Sequence, residues 1–162
     1  MQLTQAHRWS LETVLIRPAT PHDHPHILSL ARGERLKPTG LDWPRFFVAE
    51  DHGKIVGAVQ LRHHPDGSKE IGSLVIAPAF RHRGVAAQLI ERRLAGATGR
   101  VFVITARVHE GYYQRWGFGR IKPGSASPFV CANYWMGYLG GGLLSKLRGR
   151  AVNHLAVLER RP

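Results

Sequence analysis

The residues best suited to chemistry lie between Leu74 and Ile90. An apolar run, Leu74-Val75-Ile76, passes through the basic turn Arg81-His82-Arg83-Gly84 into Val85-Ala86-Ala87-Gln88-Leu89-Ile90, which has helical spacing. A helix start leaves its first backbone N–H groups unpaired and carries partial positive charge, so an anion set there gains several hydrogen bonds together. Arg81 and Arg83 add formal charge at the same spot, and Gly84 lets backbone and phosphate approach with no side chain between them. A pyrophosphate group suits this arrangement. An ordinary strand-to-helix turn has the same outline, so the surroundings must decide. Other clusters are weaker. His22, His24 and His26 alternate as metal ligands on an extended chain would, but Pro21 and Pro25 put them at a loop-to-helix entry where the rings diverge. They read as surface histidines, and no metal is assigned. No Ser, His and carboxylate set assembles into a hydrolase triad. Cys131, the only cysteine, excludes an internal disulfide or a thiolate cluster within one chain and reads as a small buried apolar residue.

The elements that must position this turn can be read on both sides of it. A short strand around Thr13 to Arg17 is ended by Pro18, and a helix follows in which Pro25 stands first, Ile27, Leu30 and Ala31 share a face, and Gly33 is the stop. Leu36 to Trp43, broken by Pro38 and Gly40, is a short second helix or a loop. Phe46 to Glu50, the turn Asp51-His52-Gly53-Lys54 and Ile55 to Leu61 form a hairpin, and Pro65-Asp66-Gly67-Ser68 turns the chain into a third strand, Glu70 to Ile76. After the basic turn, Val85, Ala86, Leu89, Ile90 and Leu94 share one helical face, and Gly96 and Gly99 end the helix. Val101 to Thr105 is a strand parallel to the preceding one by the crossover rule, and a short helix from Glu110 to Trp116 closes at Gly117. Gly140-Gly141-Gly142 marks a bend, and a last strand fits Val152 to Leu158.

With 162 residues, 43% hydrophobic and 21% charged, the chain suits one domain over residues 11–162 preceded by a loose arm over 1–10. No apolar run approaches the roughly 20 residues of a membrane span, and Met1 to Ser10 lacks a secretory apolar block, so the expected location is cytoplasmic. The formal charge of +12 favours anionic partners of several kinds, among them a coenzyme, nucleic acid and acidic lipid headgroups. Leu143 to Arg148 can lie against an anionic membrane, yet it is short for an interfacial helix, and core packing is the expectation.

Arg81-x-x-Gly84-x-Ala86 fits the Q/R-x-x-G-x-G/A signature, and by it the chain resembles the GCN5-related N-acetyltransferases. The likeness extends from about Thr13 to Phe118. It implies the acyl-CoA N-acyltransferase fold: an α+β, αβα-layered domain with a mixed, mostly antiparallel sheet and a splayed parallel strand pair. It also implies acetyl-CoA as cosubstrate, with Leu74, Val75 and Ile76 facing its acyl and pantetheine portion, and Arg81, His82, Arg83, Gly84, Val85 and Ala86 wrapping its pyrophosphate. Gly111-Tyr112-Tyr113-Gln114-Arg115-Trp116-Gly117-Phe118 is similar to the family's F-Y-E-K-x-G-F segment, which gives Tyr113 the place of the acid that protonates the departing thiolate. An aromatic packed under the helix is the plain alternative, and it is the one preferred for Tyr112. The sequence departs from many relatives in having Ala106 and Arg107 where an Asn is common upstream of that segment.

Attack on a thioester needs a neutral amine, so a base is required. Glu70, eleven residues before Arg81, matches the spacing of the general base in the histone-acetylating branch, and a solvated strand-end glutamate is the alternative. Glu50, His63 and His64 remain as other bases. The resemblance thus implies direct acetyl transfer to a primary amine, on an amino acid or a protein, in a ternary complex. Val103 to Gly117 bears a fainter similarity to the amino-acid acetylating branch, and the basic field favours a carboxylate-bearing amine. The competing class is a non-catalytic module that holds RNA or an acidic protein on its basic surface; nucleic acid is the less favoured partner. A monomer or a homodimer suits either reading.

Overall fold

The computed structural model describes residues 14–34, 40–147 and 154–161, with the side chains of the helix from Pro128 described as far as Leu139. The expected arm over 1–10 lies outside these residues, as does the first half of the uncertain segment Leu36 to Trp43. In chain order the elements are β1 (Val14–Pro18), α1 (His24–Gly33), β2 (Phe46–Asp51), β3 (Lys54–His63), β4 (Lys69–Ile76), α2 (Val85–Leu94), β5 (Val101–Ala106), α3 (Glu110–Gln114), β6 (Gly119–Ile121), α4 (Pro128–Leu147) and β7 (Leu155–Arg160). The strands form one seven-stranded sheet in the order β1-β2-β3-β4-β5-β7-β6. β1 with β2, β5 with β7 and β6 with β7 are antiparallel, and β4 with β5 is parallel. The mixed, mostly antiparallel sheet with one parallel pair is therefore as the sequence led us to expect.

The fold divides into two units, Met1–Val59 with Leu74–Arg92 and Gln60–Ser73 with Arg93–Pro162. In the first, Ile27 and Ala31 of α1 pack with Leu41, Phe46, Val48, Ala58 and Val75, which is the apolar face that the i, i+3, i+4 spacing marks. His52 and Gly53 join β2 to β3 with φ of 45° and 77°, the pair of positive angles that a tight hairpin turn of the right twist requires. Arg17 ties β1 to its surroundings: it donates to Glu50 at 2.7 Å and to both oxygens of Asp23 at 2.6 and 2.9 Å. Asp23 also accepts from the Thr20 backbone N–H at 2.7 Å. The Arg17 guanidinium beside it holds the Asp23 carboxyl well below the usual carboxylate range. Its contribution to stability is therefore complete above the unfolded-state pKa of about 4 and drains away as pH falls further. Asp23→Ala is expected to cost about 2 kcal/mol at neutral pH by removing two charged hydrogen bonds of Arg17 and leaving Glu50 as its counter-ion, and urea melts of the two proteins should converge in acid.

In the second unit, Phe102, Val130 and Val157 form the buried centre. The parallel ladder sets Lys69, Glu70 and Ile71 opposite Val101, Phe102 and Val103. β5 continues beyond it through Ala106, held on its other side by β7.

Two expectations for the C-terminal part need correction. Gly140-Gly141-Gly142 does not bend the chain, because α4 runs through it to Leu147. A helix already propagated over many residues absorbs the roughly 1 kcal/mol that each glycine costs. The last strand spans Leu155–Arg160 rather than Val152–Leu158, because pairing of Val101 with Arg160 through Ala106 with Leu155 sets its register. Two elements, β6 and α4, have no counterpart in the sequence reading. α4 nevertheless begins on a readable signal: the Ser127 hydroxyl caps the Val130 N–H and Pro128 takes the first helical position.

Candidate active site

The basic turn joins β4 to α2. After β4, Pro78–Phe80 forms a single 3-10 turn, and residues 81–84 lead into α2. The Gly84 carbonyl accepts from the Gln88 N–H at 3.1 Å, so Gly84 caps the helix and the N–H groups of Val85, Ala86 and Ala87 are its unpaired first donors. Gly84 has φ of 78°, a left-handed angle that disfavours any side chain, and the space a Cβ would occupy has no other atom within 4 Å. The helix start thus opens on room for a ligand, which fits the diphosphate of a coenzyme. The turn's arginines are already engaged: Arg81 bonds the Ile76 carbonyl at 3.2 Å and pairs with Glu34, while the Arg83 guanidinium lies 5.5 Å from the centre of the Phe80 ring. His82 is exposed, with φ of 60°. Within β4, Val75 turns its side chain into the core, whereas Leu74 and Ile76 are partly exposed. What Val75 offers a ligand is its backbone.

Glu70 is not a solvated strand end. It is 3% exposed, and its oxygens accept from Arg62 at 2.8 Å, Asn133 at 2.8 Å and His64 Nε2 at 3.2 Å. A carboxylate that accepts on Oε2 requires the proton of His64 to sit on Nε2. The His64 ring stacks on Phe129, centroids 5.6 Å apart and 7° from parallel. Arg62 reaches this position over Gly72, where a Cβ would come within 2.8 Å of its guanidinium, and donates on to Ser73 Oγ at 3.2 Å. Ser73 itself stands in β4 with φ of 50°. Of the other bases considered, His64 joins Glu70, His63 is exposed at the end of β3, and Glu50 is bound to Arg17 in the first unit. Sequence reasoning missed Arg62, Ser73 and Asn133; a cation inside an apolar strand is a signal that could have found Arg62.

Tyr113 is buried on α3, edge-on to Tyr112 at 5.5 Å and to Phe118 at 6.0 Å. Burial, with a smaller effect of Tyr112, pushes its phenol up to about 12. The phenol therefore keeps its proton at neutral pH. His22 and His26 are exposed and His24 is half-buried at the start of α1. Cys131 is half-buried.

Sheet order, the single parallel pair and a glycine-capped helix start together make this the acyl-CoA N-acyltransferase fold. Residues 42–120 match the family model described as Acetyltransferase (GNAT) domain. It is 30% identical over 81 residues to an uncharacterized N-acetyltransferase from Chlorobaculum tepidum, covering 48% of this chain and 51% of that one, so it spans about half of that relative's length. Among solved structures, N-acetylglutamate synthase from Neisseria gonorrhoeae complexed with coenzyme A and N-acetyl-glutamate has a TM-score of 0.69 at 22% identity, over 91% of this chain but 35% of that one. A Mycobacterium tuberculosis protein in complex with CoA has the same TM-score at 23% identity, over 91% and 99% of the two chains. Diaminobutyrate acetyltransferase from Paenibacillus lautus, in complex with L-2,4-diaminobutyric acid and coenzyme A, has a TM-score of 0.56 at 17% identity, over 67% and 79%. At these identities the likeness is one of fold.

Proposed function

We propose that the chain transfers the acetyl group of acetyl-CoA to the primary amine of a small acceptor that carries a carboxylate, such as an amino acid. The observation that carries this reading is the Gly84-capped start of α2, whose first N–H groups have no partner within the helix and beside which a Cβ on Gly84 would meet open space. The bound coenzyme supplies an acyl thioester; the rest falls to the side chains. Glu70 takes the proton of the acceptor's ammonium group, directly or through a water. An ionised carboxylate has about four acceptor positions, and Arg62, Asn133 and His64 fill three, leaving one for that proton. Tyr113 serves the leaving sulfur. A thiol has a pKa of about 8.5, so full transfer from a phenol near 12 is uphill by about 5 kcal/mol. Its role is therefore to donate a hydrogen bond to the sulfur as negative charge builds there, with solvent completing the protonation. The amino-acid acceptor is supported by the basic charge of the chain and by fold neighbours solved with N-acetyl-glutamate and diaminobutyric acid.

Calorimetric titration with acetyl-CoA, followed by thiol release against a panel of amino acids and of amines lacking a carboxylate, tests the reading. Saturable binding and faster release with the amino acids are expected; no binding by folded protein overturns it. Tyr113→Phe should lower turnover by about 10- to 100-fold with coenzyme affinity unchanged. The wild-type profile should show no loss of activity from this phenol below about pH 11.

A further inference from the structure

Among its described side chains, helix α4 packs by one side and leaves the other largely exposed, with Phe129 stacked on His64 at the margin. At 3.6 residues per turn, Phe129, Ala132, Trp135, Met136 and Leu139 fall on one side of it. The opposite side is engaged: Val130 is buried with Phe102 and Val157, Asn133 donates to Glu70, and Gly137 faces Leu155. On the outward side Trp135, Met136 and Leu139 are 49%, 59% and 65% exposed, with Phe129 and Tyr138 exposed beside them. A stripe of large apolar side chains on a surface marks an interaction site.

Charge identifies the partner. No Asp or Glu occurs between Glu110 and Glu159, while Arg115, Arg120, Lys122, Lys146, Arg148 and Arg150 do, the last three at and just beyond the end of α4. We propose that α4 is an interfacial anchor that lays its Trp135–Leu139 face on an anionic lipid surface. Aromatic and aliphatic side chains enter the headgroup boundary, and the acid-free, basic sequence around them suits acidic lipids. Among the described residues no helix is long and apolar enough to cross a membrane, so the anchor lies on the bilayer. A second copy is a poorer occupant, because a two-fold interface would set the same acid-free, basic segment against itself. Nucleic acid is poorer too, since Met136 and Leu139 neither stack on bases nor bond phosphates.

The test is sedimentation of the full chain with vesicles of phosphatidylcholine alone or with phosphatidylglycerol added. Partitioning onto the anionic vesicles should be at least about tenfold stronger and should weaken as salt rises. The double variant Trp135→Glu, Leu139→Glu should lose it. The milder Trp135→Ser, Leu139→Ser should reduce it about tenfold, with circular dichroism and acetyl-CoA affinity unchanged in both. Equal binding to both vesicle types, or variants that bind as the wild type does, would overturn the proposal. So would self-association of the wild type that the variants abolish, or capture by an acidic polypeptide, in the absence of vesicle binding.

Discussion

Gly84→Val is expected to weaken acetyl-CoA binding by about 100-fold, or about 3 kcal/mol, while leaving the chain folded. Two effects add. The left-handed angle of 78° strains a β-branched residue, so the turn relaxes and its N–H groups lose their common aim. The new side chain also fills the open volume in front of the helix start. Folding should survive because a Cβ at this position meets no other atom within 4 Å. Gly84→Ala, which adds less bulk, should fall between the two, near tenfold. Calorimetry with the coenzyme reads both directly. Unchanged affinity in the valine variant would mean that the diphosphate is gripped somewhere other than the start of α2.

Glu70→Gln should reduce turnover by about 100- to 10,000-fold, the range of a lost general base, with no change in coenzyme affinity. The amide keeps the size of the carboxylate and one acceptor oxygen, but it cannot take the ammonium proton or balance Arg62. Part of the effect is structural, since a half-buried guanidinium loses its counter-ion, so stability should be followed by urea denaturation alongside the kinetics. Single-turnover thiol release separates the two losses. If turnover persists, Glu70 serves only to hold Arg62, and the proton goes elsewhere.

The two halves of the candidate chemistry differed sharply in how far the sequence revealed them. The candidate anion-binding turn is written in consecutive residues, Arg81 to Ala86, between a strand and a helix of clear periodicity, so local physics is enough to find it. The β2–β3 hairpin is legible for the same reason, since His52-Gly53 can be little else. The surroundings of Glu70 are not local. Asn133 comes to it from 63 residues away, on a helix that the sequence reading missed. α4 escaped because it is apolar on nearly every side and carries no polar stripe against which a period can be counted. β6, three residues long, is too short to alternate. The boundaries of β7 follow from its partner strand rather than its own composition, and they take in the buried Glu159, which Arg100 answers.

The division of α4 into two working sides has a consequence for how its sequence can vary. Deleting or inserting one residue between Ser127 and Asn133 would rotate everything beyond the change by about 100°, swinging the Asn133 amide off Glu70, and the deletion would also bring Trp135 round towards the interior. Exchange of one outward side chain for another leaves that phase untouched. The spacing of this segment is therefore under a stricter constraint than the identity of most residues in it.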